Sequence, residues 1–145
     1  MALDCEKKIL YIAKERDKRK IYQINLSSGK ILDRFNLRIK DKSNSDYSDL
    51  FYLENKLYVL ERNSFLVSVF DLTSKKEIAV YDFSEFRVSF DTGLPYGLAE
   101  GLFVDTEKRN IYIAFDNNFS PRNKNFAQKH QILENNHSYI VKFTY

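Results

Sequence analysis

The chain has 145 residues, 43% of them hydrophobic and 15% aromatic, which is enough apolar surface for a substantial core and too much for a disordered segment. Its 23 basic and 20 acidic residues are intermixed and leave a formal charge of +3, so no basic stripe marks a nucleic-acid surface. No apolar run approaches the ~20 residues of a membrane span, and Met1 to Lys8 holds no signal-peptide core, so neither nucleic acid nor membrane is expected as a partner.

The aromatic residues are all Tyr or Phe and, with Val and Ile, they suit pleated strands; an all-β chain is expected. Met1 to Cys5 offers only a partial first strand. Ile9-Leu10-Tyr11-Ile12-Ala13 follows, then a charged corner at Lys14-Glu15-Arg16 and a strand ending Ile24-Asn25-Leu26. Ser27-Ser28-Gly29-Lys30 is a short hairpin link.

The same unit returns more completely in the middle of the chain. Ser48 to Leu53, Leu57 to Glu61, Val67 to Leu72 and Glu77 to Phe83 read as four strands joined by tight turns, with Thr73-Ser74-Lys75-Lys76 matching the earlier link. Leu57 to Leu60 is apolar throughout, as in a strand buried on both faces, whereas Glu77 to Phe83 alternates as an outer strand does. A third copy runs through Ala99-Glu100-Gly101-Leu102, Ile111-Tyr112-Ile113-Ala114, the corner Phe115-Asp116-Asn117, and a final strand ending Phe143-Thr144-Tyr145.

Four antiparallel strands repeated about every 50 residues are the signature of a β-propeller blade. The expectation is one domain, 1–145, with blade-like repeats over 1–42, 43–86 and 87–145, about half of a six-bladed ring. A β-sandwich is the competing architecture. Three blades do not close a ring, so a longer chain or a second copy, a homodimer, is expected to complete it.

With strands lettered a to d from the axis outward, the long connections Arg38 to Ser48, Glu85 to Ala99 and Asn117 to Ser138 fall on one face. Long loops on a rigid scaffold carry function, so that face is where a site is expected. Asp49 and Glu100 stand at the starts of two inner strands, and the b to c corners bring Glu15, Arg16, Glu61, Arg62, Asp116 and Asn117 to the same side. Converging carboxylate and amide oxygens suit Ca²⁺, which takes six to eight oxygen ligands. The structural alternative is that these acids cap strands and pair with Arg16 and Arg62. His130 and His137 lack a metal-ligand spacing, lone Cys5 excludes an internal disulfide, and no nucleophile elbow or phosphate-cradling glycine loop is present. Gly93-Leu94-Pro95-Tyr96-Gly97 reads as a constrained turn, with Tyr96 a candidate pocket residue.

The run Ala99-Glu100-Gly101-Leu102, followed by Phe115-Asp116-Asn117-Asn118-Phe119-Ser120-Pro121, resembles the closing blade of the esterase-like phytase propellers over residues 99–145. Glu100, Asp116, Asn117 and Asn118 fall on the matched positions; Phe115 stands where a polar Ser is usual, and Asn123 to Asn136 is an insertion. The resemblance implies a calcium-dependent phosphoester hydrolase, or a degenerate ligand-binding relative, in a secreted or periplasmic setting. Glu100, Asp49, Asp116 and Asn117 would then hold the metal. Arg16, Arg62, Glu61, Asn118 and Tyr96 would face a phosphorylated small molecule. The alternative function is a non-catalytic propeller module that binds a protein.

Overall fold

A computed structural model describes residues 1–14, 20–37, 46–86, 98–116 and 138–145. The strands are β1 (Ala2–Asp4), β2 (Ile9–Ala13), β3 (Lys20–Asn25), β4 (Ile31–Asn36), β5 (Tyr47–Leu53), β6 (Lys56–Glu61), β7 (Leu66–Asp71), β8 (Lys76–Asp82), β9 (Leu98–Asp105), β10 (Asn110–Asp116) and β11 (Tyr139–Thr144). They form three sheets in which sequence neighbours pair antiparallel: β1-β2-β3-β4, β5-β6-β7-β8 and β9-β10-β11. The only helical turn among the described residues is the 3-10 segment Ser84–Phe86, so no described helix is long and apolar enough to cross a membrane.

The partial first strand expected between Met1 and Cys5 is real but short. β1 pairs Ala2 with Tyr11 and Asp4 with Ile9, and thereby gives the first sheet all four strands.

One turn device recurs. Asp4, Asn25, Asp71 and Asp105 each accept, on a side-chain oxygen, the amide of the residue three further on, at 3.0, 2.9, 2.6 and 3.0 Å. The next residue, Lys8, Gly29, Lys75 or Arg109, turns the chain back with φ between 53° and 66°. A short carboxylate or amide thus supplies the turn's acceptor in place of the backbone, and a single left-handed residue closes the four-residue loop. Glu54-Asn55 instead makes a two-residue hairpin with both φ values positive, 49° and 60°, the twist-matched form.

The chain divides into two compact units, Met1–Asp82 and Phe83–Tyr145. In the first, two sheets stack: Ala2, Tyr11 and Ile21 from the first sheet pack with Leu50, Leu57, Val59 and Phe70 from the second. Tyr11 and Tyr52 stack across that contact with ring centroids 5.6 Å apart. Leu57, Val59 and Leu60 are fully enclosed and Tyr58 nearly so, as the unbroken apolar run required. β8 alternates exposed and half-buried residues, as an outer strand should. In the second unit Leu102, Val104, Ile111 and Ile113 fill one face of the sheet. Phe83 meets Phe115 edge-on there at 6.1 Å.

Candidate functional site

The charged corner of the second sheet is built by strand register. Tyr47 of β5 lies opposite Glu61 of β6, so Asp46 and Arg62 are the next pair along. The Arg62 amide donates to the Asp46 carbonyl at 3.0 Å, and the Arg62 guanidinium forms an ion pair with the Asp46 carboxylate. The two side chains are only 10% and 11% exposed. Arg62 therefore finds its acid in Asp46, a residue that composition and spacing alone did not single out. Glu61 is fully buried, and its Oε1 accepts a 2.6 Å hydrogen bond from Ser68 Oγ, its diagonal neighbour on β7.

Asp49 accepts the Leu50 amide at 2.8 Å and lies 3.3 Å from the Met1 ammonium. It belongs to the first unit, whereas Glu100 and Asp116, both exposed, lie at one end of the β9–β10 pair in the second. Arg16, Glu15, Tyr96, Asn117, Asn118, His130 and His137 lie outside the described residues. Among the described residues, no three His, Cys, Asp or Glu side chains come close enough together to hold a metal ion.

The two strand-start acids are not equivalent positions. β5 shifts register between Tyr47 and Asp49, and β9 shifts opposite Ala114 and Phe115, so the unpaired bulge residues are Ser48 and Glu100. Counting from the pairs on either side, Glu100 corresponds to Ser48, and Asp49, opposite Leu60, corresponds to Gly101, opposite Ala114. Similarly Asp116, opposite Leu98, occupies the place of Arg62, and Phe115 occupies that of Glu61. A bulge re-aims a side chain, and no residue type announces it in advance. Gly101 has a packing reason of its own: a Cβ there would stand 3.1 Å from the Ala114 Cβ.

A second titratable cluster belongs to the β1–β2 turn. Burial raises the Asp4 pKa, but the Lys7 amide, the Tyr52 hydroxyl and the Lys7 charge outweigh it, and the net shift is downward. The Tyr52 phenol is pushed up to about 12, first by burial and then by its hydrogen bond to Asp4. This cluster fastens a turn to the neighbouring sheet and presents no open carboxylate, since the Asp4 side chain is 3% exposed.

No protein-family model matches this chain, and no curated protein does. Solved structures do match. BamB from Moraxella catarrhalis aligns over 79% of this chain and 30% of its own, at 16% identity with a TM-score of 0.51. Sqt1 from Saccharomyces cerevisiae aligns over 77% of this chain and 26% of its own, at 12% identity and a TM-score of 0.48. A europium-containing methanol dehydrogenase aligns over 74% and 18%, at 12% identity and 0.44. The chain thus spans less than a third of each of these proteins. With the three antiparallel meanders, the BamB alignment identifies the fold as a partial β-propeller.

Proposed function

We propose that this chain is a non-catalytic propeller module that binds a protein partner. The observation that carries the reading is the burial of Glu61 and Arg62, the corner residues best placed to face a ligand, in pairings with Ser68 and Asp46. Buried side chains already engaged inside the fold hold a corner in shape, which favours a structural role for them over recognition of a phosphoryl group outside it. Propeller scaffolds host many activities, so the fold itself does not argue for hydrolysis.

The phytase-like reading draws on Glu100 and Gly101. The close approach to Ala114 supplies a structural reason for the glycine, and the bulge supplies one for the exposure of the acid. A multi-metal phosphatase site needs a dense carboxylate cluster, and the described residues do not assemble one.

The test pairs a phosphomonoester hydrolysis assay in millimolar calcium with calorimetric titration of the chain by calcium alone. The reading expects no turnover, no heat of calcium binding in the titration and, in a thermal melt run alongside, no calcium-dependent rise in melting temperature. Hydrolysis that disappears in Glu100→Gln would overturn it. On the positive side, a captured partner, once purified, should reconstitute a stoichiometric complex with the chain.

A further inference from the structure

Charges are intermixed along the sequence, but the fold of the first unit sorts them. The β1–β2 and β3–β4 turns lie together, with the Leu26 amide donating to the Lys8 carbonyl at 2.9 Å, and so do the β5–β6 and β7–β8 turns, with the Leu72 amide donating to the Asn55 carbonyl at 3.0 Å. Side chains join the two pairs: Lys7 Nζ donates to Asn55 Oδ1 at 3.4 Å, Asn55 Nδ2 donates to Thr73 Oγ1 at 2.8 Å, and Lys75 pairs with Asp33 beside the Phe35 ring. Six of the eight lysines described between Met1 and Asp82 sit in or directly after these turns: Lys7, Lys8, Lys30, Lys56, Lys75 and Lys76. We propose that this turn face docks an acidic segment of the protein partner, an inference that rests on the partner-binding reading above.

Against these lysines stand Asp4 and Asp71, both turned onto backbone amides of their own turns, and the outward Glu6 and Glu54. Lys8, Lys30 and Lys76 are exposed and have no carboxylate partner among the described residues. The backbone supplies a second observation. Lys8 and Lys75 close their turns at φ 53° and 54°, and Arg109 does the same at 53° in the second unit. Gly and Asn adopt this left-handed region at less conformational cost, as Gly29 does in the fourth turn of the kind. A long cation held there is not explained by turn-making, and local departures of this sort point to function.

The chemistry favours peptide carboxylates over nucleic acid. The cations of these turns are lysine point charges, without the arginine fork that reads phosphate, and no aromatic side chain in the turns is placed to stack a base. Ser27, Thr73 and Ser74, all exposed, add hydroxyl donors for carboxylate oxygens. Exposed ammonium groups attract an acidic segment over a Debye length of about 8–10 Å, so the complex should weaken as salt rises.

Fluorescence anisotropy of a labelled peptide of alternating Glu and Gly, titrated with the full chain, tests it. Lys8→Asn with Lys30→Gln removes two exposed charges from adjacent turns and should weaken binding about fivefold, the size of two exposed ion pairs. Lys14→Gln with Lys20→Gln removes the same charge from the other end of the β2–β3 pair and should leave binding within about twofold of wild type. Lys8→Asn alone should hold or raise the melting temperature, because Asn suits the left-handed turn. A peptide that does not bind overturns the proposal. So does an equal loss in the two double variants, a lower melting temperature in Lys8→Asn, or tighter binding of single-stranded DNA or anionic lipid vesicles than of the peptide. A chain that ignores the peptide yet forms a complex with its purified partner refutes this inference alone, whereas turnover of a phosphomonoester refutes the partner-binding reading.

Discussion

Arg62→Met keeps most of the side-chain length and removes the charge, leaving the Asp46 carboxylate at 11% exposure with no guanidinium beside it. The backbone bond from the Arg62 amide to the Asp46 carbonyl persists, so the two strand ends stay together and the carboxylate does not swing free. Removing one partner of a fully buried pair costs about 3–5 kcal/mol. Here both side chains keep a tenth of their exposure, water reaches them, and the expected loss is about 2–3 kcal/mol. That is a large share of the ~5–15 kcal/mol that holds a typical domain together. Urea unfolding followed by tyrosine fluorescence should show a lower midpoint with an unchanged slope. Asp46→Leu should cost a similar amount, while the double variant, which leaves no charge behind, should return to within about 1 kcal/mol of wild type. A loss below about 0.5 kcal/mol for Arg62→Met would refute the reasoning. The guanidinium would then be solvated and available to a ligand.

Ser68→Ala takes from the buried Glu61 carboxylate its 2.6 Å donor and should lower stability by about 1–2 kcal/mol, read from the same unfolding curves; Glu61→Met combined with Ser68→Ala should recover most of it. Gly101→Ala places a Cβ 3.1 Å from that of Ala114 and should cost about 1 kcal/mol, with Ala114→Gly restoring the midpoint; an unchanged single variant would show that the strands part freely. Tyr52 holds its proton to about pH 12 in the folded chain, against 10.0 when unfolded, so its contribution is complete below pH 10 and is lost as the pH rises towards 12. Melting temperature should accordingly fall less steeply across that window in Tyr52→Phe than in wild type. Gly29, at φ 66° with open space around its Cα, isolates the backbone term: Gly29→Ala should destabilise by about 1 kcal/mol on conformational grounds alone.

Strand positions were legible because the apolar runs Ile9 to Ala13, Leu57 to Leu60 and Ile111 to Ala114 are too short for helices and rich in branched and aromatic residues. The hairpin links were visible as polar stretches, although the common rule within them, an Asp or Asn accepting an amide three residues on, emerges only from the bonds. What the sequence hid is register. Asp49 and Glu100 look alike as acids at strand starts, yet a bulge at Ser48 in one strand and at Glu100 in the other sets them one position apart. Asp46 could not be matched to Arg62 from spacing, because sixteen residues and an entire hairpin separate them, and only the Tyr47–Glu61 pairing brings them together.

Register also explains the departure at Phe115. The position that Phe115 fills in the last sheet is filled by Glu61 in the second, and both are buried, at 2% and 0% exposure. Phe115 answers its burial by packing edge-on against Phe83; Glu61 answers with a hydrogen bond from Ser68 and an adjoining ion pair at Arg62. One architectural position therefore accepts either a phenyl ring or a carboxylate, provided the carboxylate brings its own polar partners. A position chosen for reaction with a ligand would tie its chemistry to what it must touch outside the fold. This one is constrained by the volume and polarity of what surrounds it inside, and on the proposed non-catalytic reading the acid at this blade corner is an element of the scaffold.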